Sequence, residues 1–517
     1  MKNRSRTSNS IKNSSIAAVT QIVTMIMTFG MQTVFIKTLG ATFLGLNGLF
    51  SNLLSILSFA ELGIGSAITF SLYKPLARGS EKEVAARMNF FKKTYDTIGA
   101  LILIIGLVLT PFLSIFVKDG QDVSHIHLYF VLFLLNTVVS YFFSYKRTLL
   151  IADQMGYLST LNIFYFKIAQ TIIQVIILIV LRNFVLYLLI QIAFTLASNI
   201  RISIICDRMF PYLKKYKKER ISAETLNRIK IDTIGMVGAK IGGISVNNTN
   251  NLLISSFVGL VTVGVYSSYI MVIGGVTIII RQAMDAITAS IGNLIAENDN
   301  EKAEKVFNRH FFLNFSITYF SAILLFNLFN PFVTLWLGEK YVFPIYIVTM
   351  LVLNFYIEQM RMTPISFTYT YGLFIQNGKK SIVEAIVNLG VCLVFLMVFK
   401  LGVLGVLVGT TVVHLLVNIW YEPYLVYRKG FGKPLSFSYF LRYIFLALLT
   451  GSVSAIVYFL SHQILLRGVF SILVMNLIIS IFISAIVYLV VFARSSDFKY
   501  FMSLGKRILE KHCNLER

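Results

Sequence analysis

The chain is a succession of apolar stretches of about 20 residues or more, parted by short clusters of charge and of Gly, Pro and Asn. A helix of that length and character spans the hydrocarbon of a bilayer. Hydrophobic residues make up 56% of the 517 positions and charged residues only 13%. A water-soluble fold of this size could not cover its own surface with so little charge. The pattern excludes a soluble enzyme, a disordered protein and a secreted disulfide scaffold. It predicts an all-α integral membrane protein. Cutting at the punctuation gives fourteen transmembrane segments: 14–37, 43–72, 94–117, 126–145, 155–181, 184–205, 231–256, 263–292, 309–330, 344–374, 381–400, 404–427, 437–461 and 469–493. The first follows a basic start (Lys2, Arg4, Arg6, Lys12), but it is too long for a signal peptide and has no small-residue cleavage site, so it reads as a retained helix.

Net charge is +23, from 46 Lys and Arg against 23 Asp and Glu. If the N-terminus is cytoplasmic, the segments alternate and residues near segment ends are counted with the flanking loop, 35 basic residues fall on the cytoplasmic side and six on the other, with five deep inside segments. That asymmetry obeys the positive-inside rule and predicts both termini in the cytoplasm. It accounts for the basic balance without a nucleic-acid partner. The run Lys214, Lys215, Lys217, Lys218, Arg220 is then a topology signal lying on anionic headgroups. Cys206, Cys392 and Cys513 form no CxxC pair, the six histidines form no HExxH-like pair, and no nucleotide fingerprint is present. No metal, cofactor or enzymatic chemistry is expected.

Self-comparison finds an internal repeat near 220 residues. Gly40-Ala-Thr-Phe-Leu-Gly45 matches Gly259-Leu-Val-Thr-Val-Gly264, and Glu81-Lys82 matches Glu301-Lys302. Pro111-Phe-Leu-Ser-Ile-Phe116 matches Pro331-Phe-Val-Thr-Leu-Trp336, and Gln154-Met-Gly156 matches Gln376-Asn-Gly378. The offset carries six segments, an even number, so both copies enter from the same side as parallel repeats. The expected organisation is a six-helix lobe over 1–205, a basic cytoplasmic linker over 206–230, a second six-helix lobe over 231–427, and two extra helices with a basic tail over 428–517. Two such lobes with a cavity between them that opens to alternate sides is a transporter design.

Charge at membrane depth costs at least about 2.5–3.5 kcal/mol and marks a cavity or a partner. Lys240 stands in the seventh segment with no acid within a turn and is followed by Asn247, Asn248, Asn250 and Asn251. It reads as a cation facing a wet cavity, or as a structural lysine paired with Glu61 or Glu384. Arg281 with Asp285, and Glu358 with Arg361, are spaced to pair on one helix face or to serve a ligand. Glu61 is the near repeat-equivalent of Arg281, which suggests a gate that pairs in one state and separates in the other. Lys167 could bind a phosphate or snorkel to an interface. His414 reads as a hydrogen-bonded packing residue, and Glu384 as a helix N-terminal acid.

The strings "FIKTLGATFLGLNGLFSNLLSILSFAELGIGSAI" and "NNTNNLLISSFVGLVTVGVYSSYIMVI" resemble the polysaccharide transporter family, the Wzx-type flippases of lipid-linked repeat units. These belong to the multidrug/oligosaccharidyl-lipid/polysaccharide exporter superfamily. The resemblance covers essentially the whole chain, and its motifs are diffuse. It implies a multi-pass protein of the cytoplasmic membrane that flips an undecaprenyl-diphosphate-linked oligosaccharide outward for capsule or exopolysaccharide synthesis. Its partners would be that substrate, membrane lipids, a polysaccharide polymerase and glycosyltransferases. A cationic cavity would stabilise the diphosphate, with Lys240, Arg281, Arg361, Lys167, Asn247 and Asn251 as candidates by position. Glu61, Asp285 and Glu358 are the candidate gating or coupling carboxylates. A flippase for a peptidoglycan precursor or teichoic-acid unit stays open. So does a drug/cation antiporter of the same superfamily, although buried acids should then outnumber buried bases. A membrane-embedded glycosyl-polymerising enzyme would need a large outer loop, and the outer loops near 118–125 and 331–343 are short.

Overall fold

A computed structural model of the chain describes residues 6–58, 64–117, 123–296, 300–464 and 468–503; along 6–12, 231–232, 234–248, 285–296 and 300–301, and at 14, 66, 283 and 374, it describes the backbone alone. Among the described residues every regular element is helical. In chain order they are α1 (Arg6–Leu57), α2 (Ile64–Arg78), α3 (Glu81–Leu109), α4 (Ile126–Tyr141), α5 (Tyr145–Ala152), α6 (Gly156–Val180), α7 (Phe184–Met209), α8 (Tyr212–Lys215) and α9 (Ala223–Phe257). Then follow α10 (Leu260–Ala296), α11 (Asn300–Leu337), α12 (Ile345–Met360), α13 (Met362–Thr370), α14 (Phe374–Met397), α15 (Val403–Val413), α16 (Ile419–Leu425), α17 (Phe437–His462) and α18 (Val469–Phe492). Among the described residues the predicted segments fall mostly on helix, although the second, 43–72, takes in the end of α1, the start of α2 and residues 59–63, which lie outside the described ones. Among the described residues ten helices are long and apolar enough to cross a membrane, or eleven if α4 and α5, bent by 41°, form one broken span.

At 52 residues α1 is far longer than one crossing of a core about 30 Å thick requires. Gly40 divides it, with φ 85° and ψ 176°, a conformation that a Cβ would make costly. Its repeat mate Gly259 also has positive φ, 138°, between α9 and α10. Beyond these two kinks, the later part of α1 crosses the start of α10 at close range. A Cβ on Gly45 would overlap the Leu260 carbonyl, and one on Gly264 would overlap the Ala41 carbonyl. Since Ala41 and Gly45 are the repeat mates of Leu260 and Gly264, the crossing is symmetric within itself. The glycines that mark the repeat in the sequence are therefore the ones that let the two copies touch.

The contacts group the chain into two compact units, 1–267 with 374–406, and 268–373 with 407–517. In the first, α1 packs on α6 and α9 packs on α14, so repeat-equivalent pairs form twice; α9 also lies against α1 and α2. In the second, α11 is central and holds α12, α17 and α18. The Tyr319 hydroxyl donates to Ser484 O at 3.1 Å, and Asn476 Nδ2 donates to Asn327 O at 3.1 Å, which fixes α18 against α11. Both C-terminal helices thus belong to the second packing unit.

The repeat is also legible in side-chain bonds. Thr195 Oγ1 donates to Asn136 Oδ1 at 2.9 Å between α7 and α4. Thr411 Oγ1 donates to Asn354 Oδ1 at 2.8 Å between α15 and α12. Each Asn lies a few turns before a break in its span: at 142–144 between α4 and α5, and at Arg361 between α12 and α13. By hydropathy the fourth segment ends at Tyr145, because Lys146 and Arg147 follow. Instead the helix resumes as α5 and carries both cations inward, since neighbouring helices supply their hydrogen bonds.

Candidate functional site

Phe143, with φ 64°, ends α4 in the left-handed region and redirects the chain into α5. The interruption frees carbonyls of the preceding turn. Asn199 Nδ2 on α7 takes up two of them, donating to Val139 O at 3.3 Å and Ser140 O at 3.2 Å. Successive residues on a helix point about 100° apart, so Lys146 and Arg147 on α5 reach different neighbours. Lys146 is buried; it donates to Ser203 Oγ at 2.8 Å and forms an ion pair with Asp207, both on α7. Arg147 donates from Nη1 to Ser159 Oγ at 3.3 Å and from Nη2 to Ser198 Oγ and Asn199 Oδ1, each at 2.9 Å. Asn162 Nδ2 donates to the same Ser198 Oγ at 2.9 Å and so fixes the acceptor. All three acceptors of Arg147 are neutral. Among the described residues no carboxylate lies within ion-pair distance of it. A guanidinium cannot shed its proton in a protein, so a half-buried positive charge is held here without being cancelled.

Lys167 lies further along α6. Gln170, Thr171, Gln174 and Leu178 make the buried face of that helix. Lys167 falls within the same angular sector as these four but is exposed, as is Ile163 one turn earlier. The packed face of α6 thus opens on its N-terminal half, where Lys167 stands. Arg201 on α7 places its guanidinium carbon 5.8 Å from the ring centre of Phe166 on α6.

The other predicted positions fall as follows. Glu61 lies outside the described residues. Lys240 and Asn247 lie on α9, and Asp285 on α10, where only the backbone is described. Asn251 is on α9, with its amide oxygen buried and without a hydrogen-bond partner among the described residues. Arg281 is exposed on α10, and Glu358 is exposed on α12. Glu384 is not a free N-terminal acid: it is buried on α14 and accepts from Lys380 Nζ at 2.9 Å.

Arg361 is buried in the second unit. Its Nη2 donates to Glu422 Oε1 at 2.7 Å, and its Nε lies 3.1 Å from Oε2. Its Nη1 lies 3.1 Å from His414 Nδ1. The partner that neutralises Arg361 thus comes from α16. Arg361, His414 and Glu422 lie together in the second unit, and Lys167 and Asn251 lie in the first. Sequence reasoning missed Arg147, Lys380 and Glu422. The clue to Arg147 is the polar set Ser159, Asn162, Ser198, Asn199 and Ser203, close to the ends of two apolar segments.

No family model matches the sequence, and no curated protein matches it. The fold does have relatives among solved structures. A structure of the lipid II flippase MurJ in an inward closed conformation superposes with a TM-score of 0.59 at 15% identity, covering 91% of this chain and 98% of that one. An inward-facing multidrug resistance MATE family transporter of the MOP superfamily gives 0.57 at 16% identity, over 76% and 91%. A point mutant of the Vibrio cholerae MATE transporter VcmN gives 0.50 at 14%, over 84% and 100%. The chain therefore has the all-helical integral-membrane fold of these transporters. The likeness is to a lipid flippase and to multidrug transporters, none of them an enzyme.

Proposed function

We propose that the chain is a flippase. It carries an undecaprenyl-diphosphate-linked oligosaccharide from the inner to the outer leaflet of the cytoplasmic membrane by alternating access, with both termini inside, for capsule or exopolysaccharide synthesis. The observation that carries this reading is the uncancelled charge of Arg147 among neutral oxygens. An anion with several acceptor oxygens is the ligand that such a guanidinium favours, and a diphosphate is one. Lys167 adds a second cation on the open part of α6. A cationic drug would meet repulsion at both. Lys240, Arg281, Asn247 and Asn251 are further proposed contacts. Glu61, Asp285 and Glu358 remain proposed gating or coupling acids. Arg361 leaves the headgroup set, because Glu422 already neutralises it. A polymerase and glycosyltransferases are the proposed neighbours in the pathway.

A peptidoglycan-precursor lipid is the second reading, favoured by the likeness to a lipid II flippase. Both substrates share the lipid diphosphate, so the test varies the sugar. Purified protein is titrated with undecaprenyl diphosphate, with a lipid-linked repeat unit and with lipid II. Arg147→Met and Lys167→Met should each weaken binding of all three at least about tenfold. The ranking of the two glycolipids chooses between the readings. Equal binding by wild type and both variants would remove the headgroup site.

A further inference from the structure

Lys146 stands beside Arg147 on α5 and is a second buried cation, one that the proposed headgroup site does not use. On α7 the residues Asn199, Ser203 and Asp207 follow one another at intervals of four and so share one face. Arg147 meets the first of them, at Asn199 Oδ1. Lys146 meets the next two, at Ser203 Oγ and at Asp207 Oδ1. The two cations therefore reach α7 one turn apart, about 5–6 Å.

Asp207 has a choice of partners. Its Oδ1 is on Lys146, and its Oδ2 lies 3.9 Å from Nζ of Lys214, on α8 in the basic linker. The side chain of Lys146 is 11% exposed and that of Lys214 is 74% exposed. The segment that carries Lys214 is held in place. Asn89 Nδ2 of α3 donates to Tyr216 O at 2.9 Å and to Glu219 O at 3.1 Å, and Lys82 of α3 pairs with Glu219 at 3.3 Å. Lys214 is thus presented to Asp207 by a fixed stretch of chain.

The charges around this face of α7 do not balance. Arg147, Lys146 and Lys214 bring three positive charges. Among the described residues Asp207 is the one carboxylate within ion-pair distance of any of them. Two positive charges remain. A diphosphate that joins a lipid to a sugar carries one negative charge on each phosphate, so it matches the remainder in number. Its two phosphates share a bridging oxygen, which suits two cations one helical turn apart. A carboxylate oxygen on an ammonium group occupies the place that a phosphate oxygen would take.

We propose that Lys146 is the second headgroup cation and that Asp207 is a tethered anion that holds its place. One phosphate of the arriving lipid takes Arg147. The other takes Lys146 from Asp207, and the carboxylate turns to Lys214. The exchange leaves neither the buried Lys146 nor Asp207 without a partner at either stage. It also selects a diphosphate over a monophosphate, because one phosphate on Arg147 has no second group with which to displace Asp207. The inference rests on the flippase reading for the identity of the ligand.

Full-length protein in detergent is titrated with undecaprenyl diphosphate and with undecaprenyl phosphate. Wild type should prefer the diphosphate. Lys146→Gln should weaken diphosphate binding at least about tenfold and change monophosphate binding less than about twofold. Asp207→Asn should tighten diphosphate binding at least about threefold. Glu219→Gln adds the same net charge by removing a carboxylate paired elsewhere, and should leave binding unchanged. Lys214→Gln alters an exposed side chain, so folding is not at stake. It should weaken diphosphate binding about threefold on its own and have no effect together with Asp207→Asn. Equal weakening in both backgrounds, or no tightening by Asp207→Asn, overturns the exchange even where Lys146→Gln does not fold. Diphosphate binding unchanged by Lys146→Gln overturns the role of Lys146. If wild type binds neither lipid, or Arg147→Met binds the diphosphate as wild type does, the headgroup reading itself fails. Weakening by Arg147→Met with no effect of the changes at Lys146, Asp207 and Lys214 overturns this inference alone.

Discussion

The fourth and tenth predicted segments break at equivalent places, and each is tied to the span two further on by the same Asn–Thr hydrogen bond. Beyond that shared scaffold they treat charge in opposite ways. In the first unit Arg147 meets, among the described residues, hydroxyl and amide oxygens. In the second, Arg361 meets a carboxylate and an imidazole. The repeat thus preserves how the helices are held and not what their polar residues do. In one copy the partners described for the guanidinium are neutral, and in the other a carboxylate faces it.

The contrast is tested most severely by Arg361→Ala, which leaves Glu422 charged in a site 1% exposed. Breaking one partner out of a buried pair costs about 3–5 kcal/mol. Thermal unfolding in detergent should show a loss of that order, and Arg361→Met with Glu422→Met should regain most of it. If the single variant is as stable as wild type, Arg361 is not held as described. The matching change in the first unit, Arg147→Met, abandons neutral acceptors only, and should cost about 1–3 kcal/mol by the same assay. Its larger effect should fall on export. If both variants lose equal stability, the two sites are not different in kind.

Gly45→Ala probes the shared scaffold instead. Its methyl group would overlap the Leu260 carbonyl, a backbone atom that cannot swing away, so a loss of about 1–3 kcal/mol is expected. Gly48→Ala meets only the Ser267 hydroxyl and should cost less. Lys146→Ala removes a buried side chain from Ser203 and from Asp207, which keeps Lys214 at 3.9 Å, so about 1–3 kcal/mol should be lost.

The scaffold was legible in the sequence because hydropathy and glycine spacing are local signals. Apolar runs located the long helices, though not α5 or α8, and the Gly40/Gly259 and Gly45/Gly264 matches marked the repeat at whose glycines the structure shows the crossing. The electrostatics were not, because they depend on which distant helices meet. Lys146 and Arg147 ended an apolar run and so counted as cytoplasmic loop residues, although Ser198 and Asn199, some fifty positions later, draw Arg147 into the fold. Arg361 was weighed against Glu358 one turn away, and the residue that neutralises it, Glu422, sits near the end of another span. His414 was read as a hydrogen-bonded packing residue. It is indeed buried and bonded, but its contact with Arg361 on another helix is not something spacing could supply.

The central claim is that a lipid diphosphate crosses the bilayer through this protein with help from the charge of Arg147. The direct measurement is the leaflet distribution of undecaprenyl-diphosphate-linked oligosaccharide in cells depleted of the protein and complemented with wild type or with Arg147→Met. We expect the glycolipid to collect in the inner leaflet on depletion, to be cleared by wild type, and to remain there with the variant at equal protein level. A normal distribution in depleted cells, or full clearance by Arg147→Met, would contradict the account.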